Sequence, residues 1–339
     1  MKAAVLEEIG KPFAIREVPV PSPDQDAVLI RTKTCGICRT DLHIQDGLAY
    51  VPSLPHIPGH EPAGIVEAVG GNVTQVHPGD RVVPHLFVTC GLCRYCRTGR
   101  DAQCVNLTGI LGVTLPGGFA EYFTAPAANV LALPAEVDFA PGGLVSCAVI
   151  TAVHAYRRAG VVAGDPVLVV GAGGIGQILV QLLKSAGAEV IALSRSEENL
   201  AAAREFGADA TVSFRSGDPA GQVRDRTGGE GAAVAFDCVG TAQTMKAAAA
   251  SLRPGGRIVV IGEESESPAI DTIQIAQREL EIVGSRNGSR QDAADAIAMM
   301  ASGIIRPRIT ARYPLDRINE AVDVVRTGRS HGRVVVDVS

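Results

Sequence analysis

A glycine-rich stretch near the middle of the chain, V-L-V-V-G-A-G-G-I-G, lies between a predicted buried strand and the start of a predicted helix. Its G-x-G-x-x-G spacing suits a bound dinucleotide, because Gly171 permits a tight turn, Gly173 lets the backbone approach a pyrophosphate, and Gly176 lets helix and strand pack closely. The helix dipole favours the pyrophosphate at the same point. The alternative is a glycine-rich turn that binds no ligand. The strand–turn–helix context favours a dinucleotide site formed by Gly171, Gly173, Gly174, Ile175 and Gly176.

Strand and helix patterns alternate through residues 139–288. The predicted helices are Gly142–Arg158, Ile175–Ala186, Glu197–Phe206 and Thr241–Leu252. The predicted strands, rich in Val, Ile and Leu, are Pro166–Val170, Glu189–Leu193, Ala210–Phe214, Ala232–Val239, Arg257–Gly262 and Glu279–Ser285. Apolar strands separated by amphipathic helices are typical of a parallel sheet covered on both faces. The predicted fold class of this part is therefore α/β, with a doubly wound parallel sheet of the Rossmann type.

The first 138 residues contain short strand patterns separated by Pro and Gly. These predicted strands are Lys2–Leu6, Phe13–Val18, Ala27–Thr34, Ala63–Val69, Asp80–Pro84 and Gly118–Thr124. Such patterns favour a compact, mostly antiparallel barrel. After residue 288 the chain adds helix patterns at Gln291–Gly303 and Leu315–Arg326 and a strand pattern at Arg333–Val338. A chain of 339 residues is long enough for two domains with full cores.

Four cysteines with the pattern C-x2-C-x2-C-x7-C occur in the β-rich part: Cys90, Cys93, Cys96 and Cys104. Four thiols this close together can surround one ion tetrahedrally, as in a closed structural zinc site. The alternatives are two disulfides or four unrelated buried thiols. Cysteine pairs at this spacing, in a chain without a secretory leader, indicate a metal rather than disulfides. We therefore expect a structural zinc lobe over residues 90–104.

Charge and hydropathy exclude several classes of partner. The net charge is −5 and spread along the chain, so we expect neither a nucleic acid nor an anionic membrane as partner. No apolar run has the length of a transmembrane helix. The N-terminus, M-K-A-A-V-L-E-E, carries acidic residues where a signal peptide has an apolar core, which predicts a cytoplasmic protein. The remaining class of partner is a small molecule.

The choice between nicotinamide cofactors should be visible after the second strand of the predicted sheet. An Asp or Glu there would bind the ribose 2′-hydroxyl of NAD. This chain has Leu193-Ser194-Arg195-Ser196 instead. Because Ser194 can donate a hydrogen bond to a 2′-phosphate and Arg195 can pair with it, the sequence favours NADP over NAD. The alternative is that Arg195 is only a solvated loop charge.

The chain resembles the zinc-dependent medium-chain alcohol dehydrogenases over essentially its whole length. The resemblance rests on C-R-T-D-L-H at residues 38–43, on G-H-E at residues 59–61, on the four-cysteine segment, on Cys147 and on the glycine-rich stretch. It implies a GroES-like catalytic domain over residues 1–138 and a Rossmann domain over residues 139–288. It also implies that residues 289–339 return to the catalytic domain.

The same resemblance implies a second metal site. Cys38, His60 and Cys147 would hold a catalytic zinc with one coordination position left open, which gives two zinc ions per chain with the lobe. Glu61 would lie behind the metal, and Asp41 would orient the His60 ring.

Further roles follow from the resemblance. Thr40 would take the alcohol proton and His43 would relay it to solvent, whereas Arg39 and Arg333 would lie near the cofactor pyrophosphate. Taken singly, Thr40 could be a turn residue and His43 a surface histidine. Their place in a C-x-T-D-x-H string favours the relay.

The predicted function is reversible hydride transfer between an alcohol and NAD(P)+, giving an aldehyde or a ketone. A polyol or sugar dehydrogenase of the same fold is one alternative, and a non-catalytic zinc and nucleotide sensor is an alternative of another class. The resemblance also implies a homo-oligomer, either a dimer or a tetramer. Candidate residues for an apolar substrate pocket are Leu48, Tyr50, Leu86, Phe87 and Leu111, and His85 is a further residue that could face it.

Overall fold

The computed structural model describes residues 1–48, 52–264, 268, 269 and 271–339. In chain order the strands are β1 Lys2–Val5, β2 Ala14–Glu17, β3 Ala27–Ile37, β4 Glu61–Val69, β5 Arg81–Pro84, β6 Phe87–Val88, β7 Gly109–Ile110, β8 Tyr122–Pro126, β9 Val130–Ala132, β10 Pro166–Val170, β11 Glu189–Ser194, β12 Ala210–Ser213, β13 Ala232–Asp237, β14 Leu252–Val260, β15 Glu281–Gly284, β16 Ile309–Pro314 and β17 Arg333–Asp337. The helices are α1 Arg39–Asp46, α2 Arg94–Arg97, α3 Phe139–Gly143, α4 Ala148–Ala159, α5 Gly174–Ser185, α6 Glu197–Glu205, α7 Pro219–Arg226, α8 Ala242–Ser251, α9 Thr272–Gln277, α10 Arg290–Ala301 and α11 Ile318–Arg326.

The chain folds into two compact units. The first unit contains Met1–Ile150, Ser289–Ser302 and Pro307–Ser339, and the second contains Thr151–Gly288 and Gly303–Arg306. These bounds differ from the domains that the resemblance implies. The first segment of the first unit ends at residue 150, inside α4, rather than at residue 138, and residues 303–306 of the tail belong to the second unit.

Two contacts explain why the segment before α4 belongs to the first unit. Arg81 stacks on the ring of Phe139 at 3.9 Å from its centroid, and Ser146 Oγ donates to the carbonyl of Pro84 at 2.7 Å. The segment that enters α4 is therefore held by the first unit.

The second unit is built on a parallel sheet with strand order β12-β11-β10-β13-β14-β15. This arrangement confirms the predicted doubly wound α/β fold. Residues of the central strands are buried because helices cover both faces, and Val167–Val170 have no exposed side-chain surface. Leu168, Val170, Ile191 and Leu193 belong to one apolar cluster of this unit. The carboxyl ends of β10, β11 and β12 share one edge of the sheet, which places the glycine-rich stretch and Ser194 there.

The first unit is built on a largely antiparallel sheet, with strand order β16-β17-β3-β4-β5-β9 and with β8 paired to β3. Only β16 and β17 pair in parallel among the strands of this sheet that the structure describes. The long strand β3 lies at its centre, because it pairs with β17, β4 and β8. The tail strand β17 therefore belongs to this unit.

Several elements differ from the sequence predictions. The helix predicted over Gly142–Arg158 is broken into α3, a 3-10 turn at Leu144–Ser146 and α4. Helices α1, α7 and α9 were not predicted, since α1 and α7 bury few apolar residues and begin at Arg39 and Pro219 inside polar segments. Strand β14 begins at Leu252, five residues before the prediction, because Leu252 pairs with Ala232 across a register shift.

Among the described residues, no single helix combines the length and the apolar character needed to cross a bilayer. One bent pair, Phe139–Ser146 with Ala148–Ala159, meets both requirements only when its two helices are taken together.

Candidate functional site

Strand β3 and helix α1 bring Cys38 and Asp41 to one point. Cys38 caps the N-terminus of α1 with extended backbone, and its N–H donates to Asp41 Oδ2 at 2.9 Å. Leu42 and Ile44 on the buried face of α1 pack into the apolar core of the first unit. A polar helix is therefore fixed in place by two apolar anchors, and its first turn faces the candidate metal centre.

His60 reaches the same point from the turn before β4. Gly59 has φ +96°, and a Cβ there would lie 2.7 Å from the ring of Phe119. His60 is buried, and its Nδ1 lies 3.0 Å from Asp41 Oδ1. One carboxylate thus orients both His60 and Cys38. When Nδ1 carries the proton donated to Asp41, the lone pair of Nε2 is left for a ligand.

Cys147 lies in the break between the 3-10 turn and α4. Its φ of −131° and ψ of −71° are not helical, so the thiol is turned away from the direction that a continuous helix would give it. The hydrogen bond from Ser146 Oγ to Pro84 O fixes this break. The interruption of the predicted helix therefore directs the Cys147 thiol towards Cys38 and His60.

The three side chains meet. The ligand atoms of Cys38, His60, Glu61 and Cys147 all lie within 4.8 Å of one another. His60 Nε2 is buried and has no hydrogen-bond partner among the described residues. A buried, unpartnered imidazole nitrogen costs free energy unless it binds something. Two sulfurs and one nitrogen around it are a ligand set that zinc accepts with a position left open, so the residues fit the metal.

Hydrogen bonds and nearby charges shift the pKa values of the three candidate ligands. The hydrogen bond with Cys147 lowers the pKa of the Cys38 thiol well below its usual value, with help from the nearby imidazole. The same hydrogen bond raises the pKa of Cys147. Burial opposes the charged imidazolium, yet Asp41 and Cys38 together raise the pKa of His60 well above its usual value. Of these three groups, the Cys38 thiol therefore becomes an anion most readily, and the thiolate is the form that binds a metal.

Glu61 and Arg333 form a buried ion pair at the edge of the cluster. Arg333 Nη2 donates to Glu61 Oε2, and the two side chains are 9% and 0% exposed. Burial raises the pKa of Glu61 to about 6, although Arg333 partly offsets this effect. Arg333, which the resemblance places near the pyrophosphate, thus lies against Glu61 in the first unit. Arg39, the other such residue, is exposed at the start of α1.

Thr40 and His43 lie on one side of α1, since they are three residues apart in the helix. Thr40 Oγ1 is 3.8 Å from Cys38 Sγ. His43 is partly exposed. The hydroxyl thus lies beside a metal-ligand candidate, and the imidazole lies nearer to solvent.

The four-cysteine lobe forms a second cluster. Its Sγ–Sγ distances are 3.5 Å for Cys93–Cys96, 3.6 Å for Cys104–Cys90, and 4.0 Å for Cys90–Cys96 and Cys93–Cys104. A tetrahedral zinc with Zn–S bonds of about 2.3 Å requires sulfurs about 3.8 Å apart, whereas a disulfide requires about 2.05 Å.

Backbone N–H groups stabilise thiolates in this lobe. The N–H of Cys93 donates to Cys90 Sγ at 3.3 Å, and that of Cys90 donates to Cys104 Sγ at 3.4 Å. The backbone N–H of Cys96 lowers the pKa of Cys93 to about 6. The described geometry therefore suits one ion held by four sulfurs and disagrees with the disulfide alternative.

The glycine-rich stretch has the geometry of a cradle. Gly171 has φ +90°, and a Cβ at Gly176 would overlap the carbonyl of Gly171. A Cβ at Gly173 would meet nothing within 4 Å, and no side chain caps the start of α5. The first N–H groups of α5, including those of Gly174 and Ile175, are therefore available to an anion. These residues fit a pyrophosphate.

Beside this cradle, Ser194 ends β11 and is 6% exposed, while Arg195 is exposed. Asp237, the last residue of β13, is not among the predicted site residues. Its buried carboxylate accepts hydrogen bonds from the N–H groups of Val239 and Gly240 and from Thr244 Oγ1. An acidic residue at the end of the apolar run A-A-V-A-F was the signal that could have found it.

Comparison with known proteins bears on both clusters. Residues 24–135 match the family model for the alcohol dehydrogenase GroES-like domain, and residues 174–302 match the family model for zinc-binding dehydrogenases. An alcohol dehydrogenase of Geobacillus stearothermophilus is 36% identical over 343 aligned residues that cover all of both chains.

The chain belongs to the zinc-dependent medium-chain alcohol dehydrogenases.

Solved structures of related dehydrogenases are similar to this chain over nearly its whole length. The alcohol dehydrogenase of Aeropyrum pernix is 34% identical, with a TM-score of 0.93 and coverage of 99% of this chain and 100% of the other. A zinc-binding dehydrogenase of Sinorhizobium meliloti 1021, solved with NADP bound, is 32% identical, with a TM-score of 0.90 and coverage of 99% and 98%. Membership makes this alcohol dehydrogenase an NAD(P)-dependent oxidoreductase and excludes the sensor alternative.

The candidate pocket residues of this alcohol dehydrogenase have different surroundings. Leu86, Phe87 and Leu111 are buried in apolar clusters of the first unit, Leu48 is exposed, and Tyr50 lies outside the described residues. His85 is fully buried, with Nδ1 at 3.2 Å from the carbonyl of Phe87.

Proposed function

We propose that this alcohol dehydrogenase binds two zinc ions per chain and holds the catalytic one with Cys38, His60 and Cys147. The observation that carries the proposal is the buried Nε2 of His60, which has no hydrogen-bond partner in the described structure and lies within 4.8 Å of both thiols. The second zinc would be held by the four sulfurs of residues 90–104. Membership of the family supports both assignments.

When bound, zinc would supply a Lewis acid for an alcohol or carbonyl oxygen, and the nicotinamide would supply the hydride acceptor or donor. The chain itself contributes positioning. Asp41 accepts hydrogen bonds from the Nδ1–H of His60 and from the backbone N–H of Cys38, so two candidate ligands keep their orientation during the reaction. The ion pair of Glu61 with Arg333 keeps a carboxylate behind the cluster without leaving its charge unbalanced.

Thr40 and His43 would carry the proton. An alcohol at the metal centre must lose its hydroxyl proton before or during hydride transfer. Thr40 Oγ1 lies 3.8 Å from Cys38 Sγ, which supports a role in accepting that proton, and the partly exposed His43 would pass it towards solvent. Histidine suits this step because its usual pKa is near neutrality.

The proposed cofactor is NADP. Gly171–Gly176 would take the pyrophosphate, with Arg39 and Arg333 as further cations of the first unit that the family resemblance connects with it. Ser194 stands at the end of β11, where an acidic residue would disfavour a 2′-phosphate, and Arg195 follows it. The relative from Sinorhizobium meliloti is described with NADP bound, which supports the same choice.

We further propose a cytoplasmic homo-oligomer that acts on small alcohols, aldehydes or ketones. The eight cysteines, all described and none in a disulfide, suit a reducing compartment. Strand β15 is the outer strand of its sheet, and Ile282 on it is 40% exposed. Such an apolar sheet edge supports pairing with a second copy.

Metal analysis with activity assays tests the function. Wild-type enzyme should contain two zinc ions per chain and oxidise alcohols in a panel assayed with NAD+ and NADP+. Cys38→Ala should contain one zinc ion and lose turnover. Cys238→Ala, a cysteine outside both clusters, should keep both ions and full activity. If Cys38→Ala turned over at the wild-type rate, the catalytic assignment would be wrong.

A further inference from the structure

Two arginines at one edge of the second unit's sheet lack a carboxylate partner. Arg195 directly follows β11, and Arg215 lies two residues beyond the end of β12. Both side chains are exposed. In the part of the chain that the structure describes, neither guanidinium forms an ion pair or a hydrogen bond, whereas Arg257 of the same unit pairs with Glu281 at 2.5 Å. Two unpaired cations at one edge are free to bind an anion.

Strand register places these arginines together. Strands β11 and β12 are parallel neighbours with Ser194 opposite Ser213, and the N–H of Phe214 donates to the carbonyl of Ser194 at 3.0 Å. Neighbouring strands lie about 4.8 Å apart. Arg195 and Arg215 therefore follow adjacent strands at the same edge of the sheet. At this separation both arginine side chains can reach one phosphate.

The same edge carries the glycine-rich cradle. Strand β10 pairs with β11 with Val170 opposite Leu193, and the N–H of Gly171 donates to the carbonyl of Leu193 at 2.8 Å. A dinucleotide whose pyrophosphate lies on the start of α5 would extend its adenosine ribose along this edge towards β11 and β12.

The polar groups between the two arginines are donors. Ser194 is 6% exposed, and its Oγ accepts from the N–H of Ser196 at 3.3 Å while its own proton finds no acceptor within the described residues. The first turn of α6 carries two acidic side chains, Glu197 and Glu198, and Glu198 Oε2 accepts a hydrogen bond from Ser196 Oγ at 2.6 Å.

We propose that Arg215 is a specificity-determining residue that binds the 2′-phosphate of NADP together with Arg195. The inference rests on the proposed preference for NADP. A single exposed arginine gives a weak preference. Two guanidinium groups with the Ser194 hydroxyl can satisfy the three outer oxygens of a phosphate dianion with charge-assisted hydrogen bonds. Residues that follow two neighbouring strands then bind the phosphate, and the segment after β12 becomes part of the cofactor site.

Binding of nucleotide fragments tests this without turnover. Isothermal titration calorimetry would compare 2′,5′-ADP with 5′-AMP on the wild-type enzyme and on Arg215→Gln, Arg195→Gln and Arg226→Gln. Arg226 is the matched control, because it is exposed at the end of α7, which leads to the opposite edge of the sheet. We expect Arg215→Gln to weaken 2′,5′-ADP about tenfold or more and to leave 5′-AMP within about twofold. Arg226→Gln should change neither.

The outcomes separate the inference from the proposed function. If the wild type prefers 2′,5′-ADP and Arg215→Gln binds it as tightly, the role of Arg215 is wrong and the NADP preference stands. If Arg215→Gln weakens both fragments equally, Arg215 does not read the 2′-phosphate, and the inference also fails. If the wild type binds both fragments equally and uses NAD+ with the higher kcat/KM, the NADP preference fails, and the inference fails with it.

Discussion

Asp41 shows how much one side chain can organise in a buried centre. Its two oxygens hold the N–H of Cys38 and the Nδ1 of His60 at 2.9 and 3.0 Å, and the side chain has no exposed surface. A carboxylate buried this deeply is stable only when its oxygens are satisfied. The centre also depends on residues that are not candidate ligands. Gly36 has no side chain, and this leaves the space that the Glu61 carboxylate occupies.

Gly36→Ala should damage the metal centre without removing a ligand. A Cβ at Gly36 would overlap Glu61 Oε2 and lie 2.6 Å from Leu144 Cδ2. Arg333 holds Glu61 in place and Leu144 is fully buried, so neither neighbour can move freely. We expect a loss of about 1–3 kcal/mol in the free energy of unfolding and lower zinc occupancy, measured by urea denaturation and metal analysis. Gly284→Ala, at a strand position where a Cβ meets nothing within 4 Å, is the control. A Gly36→Ala enzyme with normal stability and zinc content would contradict this reading.

Thr40→Ala should separate proton transfer from metal binding. Removal of the hydroxyl should lower kcat about 100-fold or more, because Oγ1 is the proposed proton acceptor. Zinc content should be unchanged, since Thr40 is not a ligand. Thr40→Ser keeps the hydroxyl and should restore most of kcat. An unchanged kcat in Thr40→Ala, from steady-state assays at saturating substrate, would remove the relay.

At the scale of elements, breaks and loops carry the chemistry. Cys147 lies where a helix predicted to be continuous is interrupted, and Cys38 lies where β3 ends and α1 begins. The lobe at residues 90–104 has little regular structure, with the four-residue helix α2 and a short 3-10 turn, and no residue of α2 is buried. Such a segment lacks the apolar core that would fold it, so a bound metal would supply that stability.

Cys96→Ala should therefore act on stability before chemistry. We expect loss of one zinc ion per chain and a fall in Tm of about 5 °C or more, with turnover per folded molecule close to that of the wild type. Differential scanning calorimetry and metal analysis would measure both effects. Leu92→Ala, which changes a lobe side chain that is 77% exposed, should leave zinc content and Tm unchanged. If Cys96→Ala kept both zinc ions, the lobe would not be a metal site.

At the scale of the whole molecule, each unit has its own apolar core and its own sheet. The sheet of the second unit ends at β15, where the pattern of exposure leaves Ile282 accessible. An outer strand with an apolar side chain pairs readily with another copy. We therefore expect copies of this chain to associate through strand β15.

Ile282→Lys tests this assembly. A charge on the outer strand should lower the native mass of the proposed dimer or tetramer, because a lysine at an edge strand opposes pairing. Sedimentation velocity would measure the mass across a range of protein concentrations. Ile304→Lys is the matched control, since Ile304 belongs to the same unit, is 41% exposed and lies outside the strands. A wild-type mass for Ile282→Lys would exclude β15 as the interface.

Local sequence patterns are enough to predict the parallel sheet, most of its strand positions and the two chemical motifs. Short continuous runs of Val, Ile and Leu are typical of the buried strands of a parallel sheet. Strand β10, for example, has the predicted bounds Pro166–Val170. The four-cysteine spacing and the glycine spacing are local, so each ligand set lies within a few residues of chain.

The sets of residues that are distant in the chain come together only in the folded protein. Cys38, His60 and Cys147 lie far apart in the chain, and their convergence depends on β3, β4 and a break before α4 that no local pattern encodes. Arg333 reaches Glu61 because the tail strand β17 pairs with β3, and Arg215 joins Arg195 because β12 pairs with β11 in a fixed register. The physical reason is common to all three, since side chains become neighbours through strand pairing and core packing rather than through separation along the chain.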